Sequence, residues 1–130
     1  MITATIMTQR QVTDLGKLFS MMDNSPLALM FADQSLTLRR TSPLAVVIFK
    51  PLEQFLPTQV ENLAGYRIDI FHKKPEIIRK IVSNPRNLPY RTQVIIGPKT
   101  LDLEVKPVYD DGDHHYLGVM AYWSEILPGA

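Results

Sequence analysis

Residues 100–110, TLDLEVKPVYD, set Leu101, Leu103 and Val105 in strict alternation with Asp102, Glu104 and Lys106. A period of two gives an extended strand with one dry and one wet face. Such a strand cannot stand alone; it needs paired neighbours and a second layer over its dry face. YRTQVIIG (90–97) and HYLGVMAYWSEI (115–126) supply the neighbours, joined through GPK and DDGDH, both rich in turn residues. In the last strand Leu117, Val119, Ala121 and Trp123 are expected on one face, with Met120 and Tyr122 on the other. The last third is therefore an antiparallel three-stranded unit.

Upstream, LALMFAD (27–33) is a short apolar run suited to a buried strand, QS a tight turn, and LTLRR (36–40) a strand with one wet face. The period then changes. In SPLAVVIFKPLEQFL (42–56) Leu44, Val47, Ile48, Leu52 and Phe55 form a helical stripe, with Ser42 as N-cap, Pro43 at the first position and a break at Pro51. PTQVENLAG (57–65) reads as a short helix stopped by Gly65. PEIIRKIVSNP (75–85) sets Ile77, Ile78, Ile81 and Val82 on one face. Ahead of all this, Val12, Leu15, Leu18, Phe19 and Met22 mark an amphipathic helix over 11–23, ended by NSP. It can cap its own core or pack on a second subunit.

The order predicts an α+β domain: a five-stranded antiparallel sheet, helices inserted between strands 2 and 3, and an N-terminal amphipathic helix. The divisions are an arm and helix at 1–23, the main domain at 24–126 and a tail at 127–130.

Composition narrows function by exclusion. The chain has 130 residues, 45% hydrophobic, enough for one domain with one core. Fourteen basic and 13 acidic residues leave a net charge of +1, with the basic residues scattered and no stripe, so nothing argues for nucleic acid or an anionic membrane as partner. Cysteine is absent, which removes disulfides, cysteine zinc sites, covalent CxxCH haem and a cysteinyl–flavin photoreceptor, and is compatible with the cytoplasm. No apolar run approaches the roughly 20 residues of a membrane span, and MITATIMTQRQ has the look of a loose arm rather than a signal peptide. There is no phosphate loop, GxSxG, HExxH or carboxylate pair spaced for acid–base work, so an enzyme is not expected.

The element order resembles the PAS domain. NSPLALMFAD (24–33) is similar to the NxPxxxMxAD opening of PAS domains in soluble bacterial chemoreceptors, and LAGYRIDIFHKKP (63–75) to their LxGxxIDxFHKxP segment. NPRNLPYRTQVIIGPKTLDLEVKPVYD and YLGVMAYW continue the likeness, which spans roughly residues 20–126. The chain departs from that pattern with Ser42 before Pro43, with Tyr66-Arg67 after Gly65, and in WSEILPGA, which lacks the D-x-T ending that links PAS sensors to effectors.

The resemblance implies b-type haem, a diatomic gas (O2 first) as ligand, a homodimer, and a signalling output domain or partner outside this chain, in a cytoplasmic chemotaxis setting without membrane insertion. Carried over, His72 is the axial ligand of haem iron, Trp123 the distal residue that stabilises bound gas, and Leu103 a second distal residue. Ile68, Phe71, Ile78 and Leu117 are expected to complete the cofactor wall. A neutral imidazole nitrogen, dry walls and polar groups at the rim are what haem requires; Lys73 and Lys74 can reach carboxylates or simply face solvent. Taken by itself, a histidine at a helix start is ordinarily a surface or capping residue, and Trp123 a core aromatic. The same fold also serves as a cofactor-free dimerisation module, or as a pocket for a flavin or small metabolite. Asp69 is expected to cap the helix that begins near His72, and His114 and His115, beside aspartates in a hairpin tip, are read as a wet turn before a metal cluster.

Overall fold

The alternation at 100–110 is realised as β4 (Lys99–Tyr109), which pairs antiparallel with β3 (Tyr90–Ile96) and β5 (Tyr116–Glu125). The early hairpin is β1 (Ala28–Asp33) with β2 (Leu38–Thr41), and β1 docks on β5, giving the sheet order β2-β1-β5-β4-β3. The computed structural model describes residues 8–71, 74–110 and 115–126. The helices α2 (Pro43–Phe49) and α3 (Pro75–Val82) lie between β2 and β3, with 3-10 turns at Lys50–Phe55, Val60–Asn62 and Ile68–Phe71; α1 (Gln9–Asp23) precedes the sheet. This is the α+β architecture expected.

The sheet is dry over the whole of one face and over part of the other; the outer face of β3 and β4, with Arg91, Gln93 and Lys106, stays wet. Beneath it, the inserted helices close one large core that includes Met30, Leu38, Phe49, Leu101, Val119 and Trp123. Above it, α1 lays Leu15, Leu18, Phe19 and Met22 on Phe31, Leu117 and Met120, with Phe19 edge-on to Phe31 at 5.8 Å. A capping box starts α1: the Thr8 hydroxyl accepts from Gln11 N–H while the Gln11 side chain accepts from Thr8 N–H. Arg40 holds the other end, paired with Asp23 and stacked 5.8 Å over Phe19. The helix thus covers its own sheet, and Val12, expected on the apolar stripe, is 51% exposed at the far end.

The second helical stripe differs from expectation. The buried positions are Ala45, Phe49 and Leu52, while Val47 is 65% exposed and Leu44 and Phe55 lie at the surface. α2 turns its Ala45–Phe49 face to the core, and since Pro51 has no N–H to continue an α-helix, the chain tightens into a 3-10 turn from Lys50 that buries Leu52 but not Phe55. Ser42 occupies the N-cap position without capping: its hydroxyl accepts from Leu29 N–H at 2.8 Å and donates to the Leu27 carbonyl at 2.6 Å, sewing α2 to β1. In α3, Ile78, Ile81 and Val82 face the core, but Ile77 is 47% exposed.

Leu117 requires the main correction. It does not share a face with Val119, Ala121 and Trp123; it packs on the α1 side with Met22 and Phe31. The register shows why. Val108 pairs with Gly118 but Tyr109 pairs with Tyr116, so one residue of β5 is extra, a β-bulge. Gly118 has φ of +153°, and a Cβ there would land on the Ala32 carbonyl oxygen and 2.9 Å from the Asp33 Cα. The bulge needs glycine, and it reverses the phase of the strand ahead of Val119.

Candidate functional site

The candidate site lies inside the large core, on the helix-facing side of β5. Trp123 is 1% exposed and sits in register between Ala28 of β1 and Leu103 of β4, both buried on the same face. Two phenyl rings close on it. Phe49, from the last turn of α2, lies 5.0 Å from the indole at 81°; Phe71, from the turn Ile68–Phe71, lies 5.3 Å away at 72°; and the two phenyl rings are 5.4 Å apart. Such edge-to-face contacts add to the area these rings remove from water.

One feature of this cluster is unsatisfied. The indole Nε1–H of Trp123 is buried and, among the described residues, has no hydrogen-bond partner. Indole nitrogen is a donor only, and a buried donor left unpaired costs about 1–3 kcal/mol. The core therefore offers a single hydrogen bond to an acceptor small enough to lie among aromatic rings.

The turn that carries Phe71 is anchored at its start by backbone bonds to the β1–β2 hairpin. Gly65 N–H donates to the Leu38 carbonyl, Leu38 N–H to the Tyr66 carbonyl and Ile68 N–H to the Leu36 carbonyl, at 2.7–2.8 Å. Asp69, expected as a helix cap, instead pairs with two arginines: it forms an ion pair with Arg79 Nε at 2.8 Å and accepts from Arg67 Nε at 3.3 Å, with its own side chain only 7% exposed. Across the core, Tyr116 donates its phenol to the Val82 carbonyl at 3.1 Å and so ties β5 to the end of α3. Burial, with a smaller contribution from Tyr109, pushes the Tyr116 phenol up to about 12. A surface opening of about 200 Å³ between Phe55, Ile70, Ile95 and Gly97 reaches Phe71 from outside.

Ile68, Phe71, Leu103 and Trp123 are brought together in this core, with Ile78 packed against it; Leu117 is not among them. His72 and Lys73 lie outside the described residues, as does His114. His115 lies at the mouth of the β4–β5 hairpin, its Nδ1 3.5 Å from Asp110, and among the described residues no group of three metal-ligating side chains forms. Sequence reasoning missed Phe49, because the stripe through Leu44 and Val47 drew attention to the wrong face. The visible clue was Ala45–Phe49 spacing just ahead of Pro51. It also missed the pairing of Asp69 with Arg79, ten residues apart and on different elements.

For haem, the described part of the core has the right chemistry: apolar and aromatic walls and one unpaired donor.

The sheet order, with helices inserted between β2 and β3 and a helix ahead of β1, is the PAS fold, and the chain resembles the haem-binding PAS domains of bacterial chemoreceptors. A chain from the Vibrio cholerae Aer2 receptor, described as a dual PAS-heme oxygen sensor, superposes with a TM-score of 0.70 at 27% identity, covering 78% of this chain and 95% of that one. The PAS domain of Bordetella pertussis BvgS matches with a TM-score of 0.63 at 12% identity, covering 90% of this chain and 89% of that one. The Rhodobacter sphaeroides LOV protein matches with a TM-score of 0.57 at 17% identity, covering 91% and 70%. The last two show the fold alone. In sequence, the methyl-accepting chemotaxis protein McpB of Pseudomonas aeruginosa is 25% identical over 115 residues, which is 85% of this chain but 17% of that protein. The chain thus spans a small part of the curated relative it matches. No protein-family model matches it.

Proposed function

We propose that this chain is a sensory PAS domain, without enzymatic activity of its own, that binds b-type haem and senses a diatomic gas, O2 first. The observation that carries the reading is the unpaired Nε1–H of Trp123 inside an apolar, aromatic core. Likeness to a PAS-heme oxygen sensor over 78% of the chain supports it. Haem, when bound, supplies a ferrous iron that takes up the gas. The chain supplies the rest. His72 is the proposed iron ligand, following directly on Phe71 and Ile70 in sequence. Trp123 donates its N–H to the gas, Leu103 beside it in register narrows the same side, and Ile68, Phe71 and Ile78 exclude water. Sensing then requires that occupied and empty cores favour different packings of β5, and that a partner reads the difference.

The output partner lies outside this chain, in keeping with a chemoreceptor relative of which the chain covers 17%. A homodimer and a cytoplasmic setting belong to the same proposal; no described helix is long and apolar enough to cross a membrane. The division into an arm with helix (1–23), a sensor (24–126) and a tail (127–130) is retained on the same footing. A cysteinyl–flavin photocycle has no cysteine to use.

A second reading has its own support. The three rings already fill the space around Trp123, as they would in a cofactor-free interaction module. One titration separates the two. Purified protein given haem should develop an intense Soret band at one equivalent and a stable ferrous–oxy spectrum. No stoichiometric uptake sinks the haem reading and leaves the interaction module. His72→Ala should lose the ligand signature, and unchanged binding would overturn that assignment. Trp123→Leu should keep haem but lose stable O2 binding.

A further inference from the structure

The two ends of the Phe71 turn are held in different ways. Its start is sewn to the β1–β2 hairpin by backbone bonds that no side-chain change removes. Its junction with α3 is bridged by a side-chain contact, Asp69 to Arg79 at 2.8 Å, with Arg67 reaching the same oxygen of Asp69 from the other side at 3.3 Å. The carboxylate is 7% exposed and both arginines are about half exposed. One buried anion thus draws two surface cations onto a single point. It does so two residues ahead of Phe71, the ring that closes over Trp123.

We propose that Asp69, gripped by Arg79 and Arg67, is the positioning residue of the pocket: the strap that holds the Ile68–Phe71 turn against α3 and thereby sets Phe71 against Trp123. The inference deepens the reading of this core as a cofactor pocket and rests on it for its consequence. The strap's geometry stands without it. An alternative would leave Asp69 as an ordinary surface pair, but exposed pairs tolerate loss of a partner, whereas a buried carboxylate stripped of its arginine is left uncompensated. The turn then loses its side-chain tie to α3.

Trp123 is the sole tryptophan of the chain, so its fluorescence reports on this pocket alone. Acrylamide quenching is measured on Asp69→Asn, Arg79→Gln, Arg79→Lys and, as a control, Asp23→Asn, which breaks the exposed pair with Arg40 on the other face. Asp69→Asn and Arg79→Gln should raise the quenching constant severalfold with cooperative unfolding retained. Arg79→Lys should recover most of the protection, and Asp23→Asn should leave it unchanged. Unchanged quenching in a folded Asp69→Asn protein overturns the proposal; so does an equal rise in Asp23→Asn, which would mean general loosening. If Asp69→Asn does not fold, the contrast between Arg79→Gln and Arg79→Lys decides. With haem added, loss of the strap should weaken uptake about tenfold or more, as loss of groups supporting a metal ligand does. Wild-type protein that takes up no haem would sink the function proposed above, while the fluorescence would still decide the strap.

Discussion

The inserted helices cover one face of the sheet and α1 covers part of the other, and the two covered regions differ in kind. On the α1 side, Phe19, Met22, Phe31 and Leu117 form a small apolar contact in which, among the described residues, no buried side-chain polar atom lacks a partner, closed at its edge by Arg40 stacked on Phe19. On the helix side, the core is larger and richer in aromatic rings, and it buries a donor with nothing to donate to. The first arrangement is what stability alone selects. The second gives up stability at one atom, and such concessions are expected where a protein binds something.

The sharpest way to break this comparison is at the residue that separates the faces. Gly118→Ala puts a methyl group into the Ala32 carbonyl at a φ of +153°. The expected loss is about 4 kcal/mol or more, read as a collapse of the denaturant midpoint, and a neutral result would disprove the bulge. Next comes Phe31→Ala on the α1 side, where a fully buried ring is removed from a satisfied cluster. The expected cost is about 3–5 kcal/mol.

Trp123→Phe should be far milder, although the indole is just as buried. Packing is lost, but removing the orphaned N–H returns about 1–3 kcal/mol, so the net cost should be less than half that of Phe31→Ala. Equal costs in urea titrations of the two variants would erase the distinction between the faces.

The smallest effect is a pH dependence. The Tyr116 phenol is raised from 10.0 to about 12, chiefly by burial. A raised folded-state value favours the protonated form, so this stabilisation is complete below pH 10 and is lost as pH rises through about 12. Tyr116→Phe should therefore flatten the fall in thermal midpoint between those pH values, relative to wild type. The same slope in both proteins would show that Tyr116 does not titrate with unfolding.

Much of this was legible from the residues in order. The alternation at 100–110, the hairpin at 27–40 and the amphipathic spacing of α1 gave elements, sheet and fold class, because strand and helix periods are local properties. What was not legible depends on contacts between distant residues. Leu117 obeys the alternation of its strand and still faces the other way, because Gly118 must fit against β1. Phe49 became a core ring because α2 turns its Ala45–Phe49 face, and not the Leu44–Val47 face, to the sheet. Asp69 found Arg79 rather than a helix end. Of the expected site, Trp123, Leu103, Ile68, Phe71 and Ile78 were drawn together, largely through resemblance, since no periodicity distinguishes a cofactor wall from a core.

The bulge at Gly118 has one more consequence. It lies between the β4–β5 hairpin tip and the stretch Val119–Trp123, and it absorbs a half-period of pleat. The orientation of Trp123 is then referenced to β1 and β4, through Ala28 and Leu103, and not to the connection that precedes β5. The start of β5 at Tyr116 and Leu117 is thus out of phase with Val119–Trp123, and a change of register there need not rotate the indole out of the core.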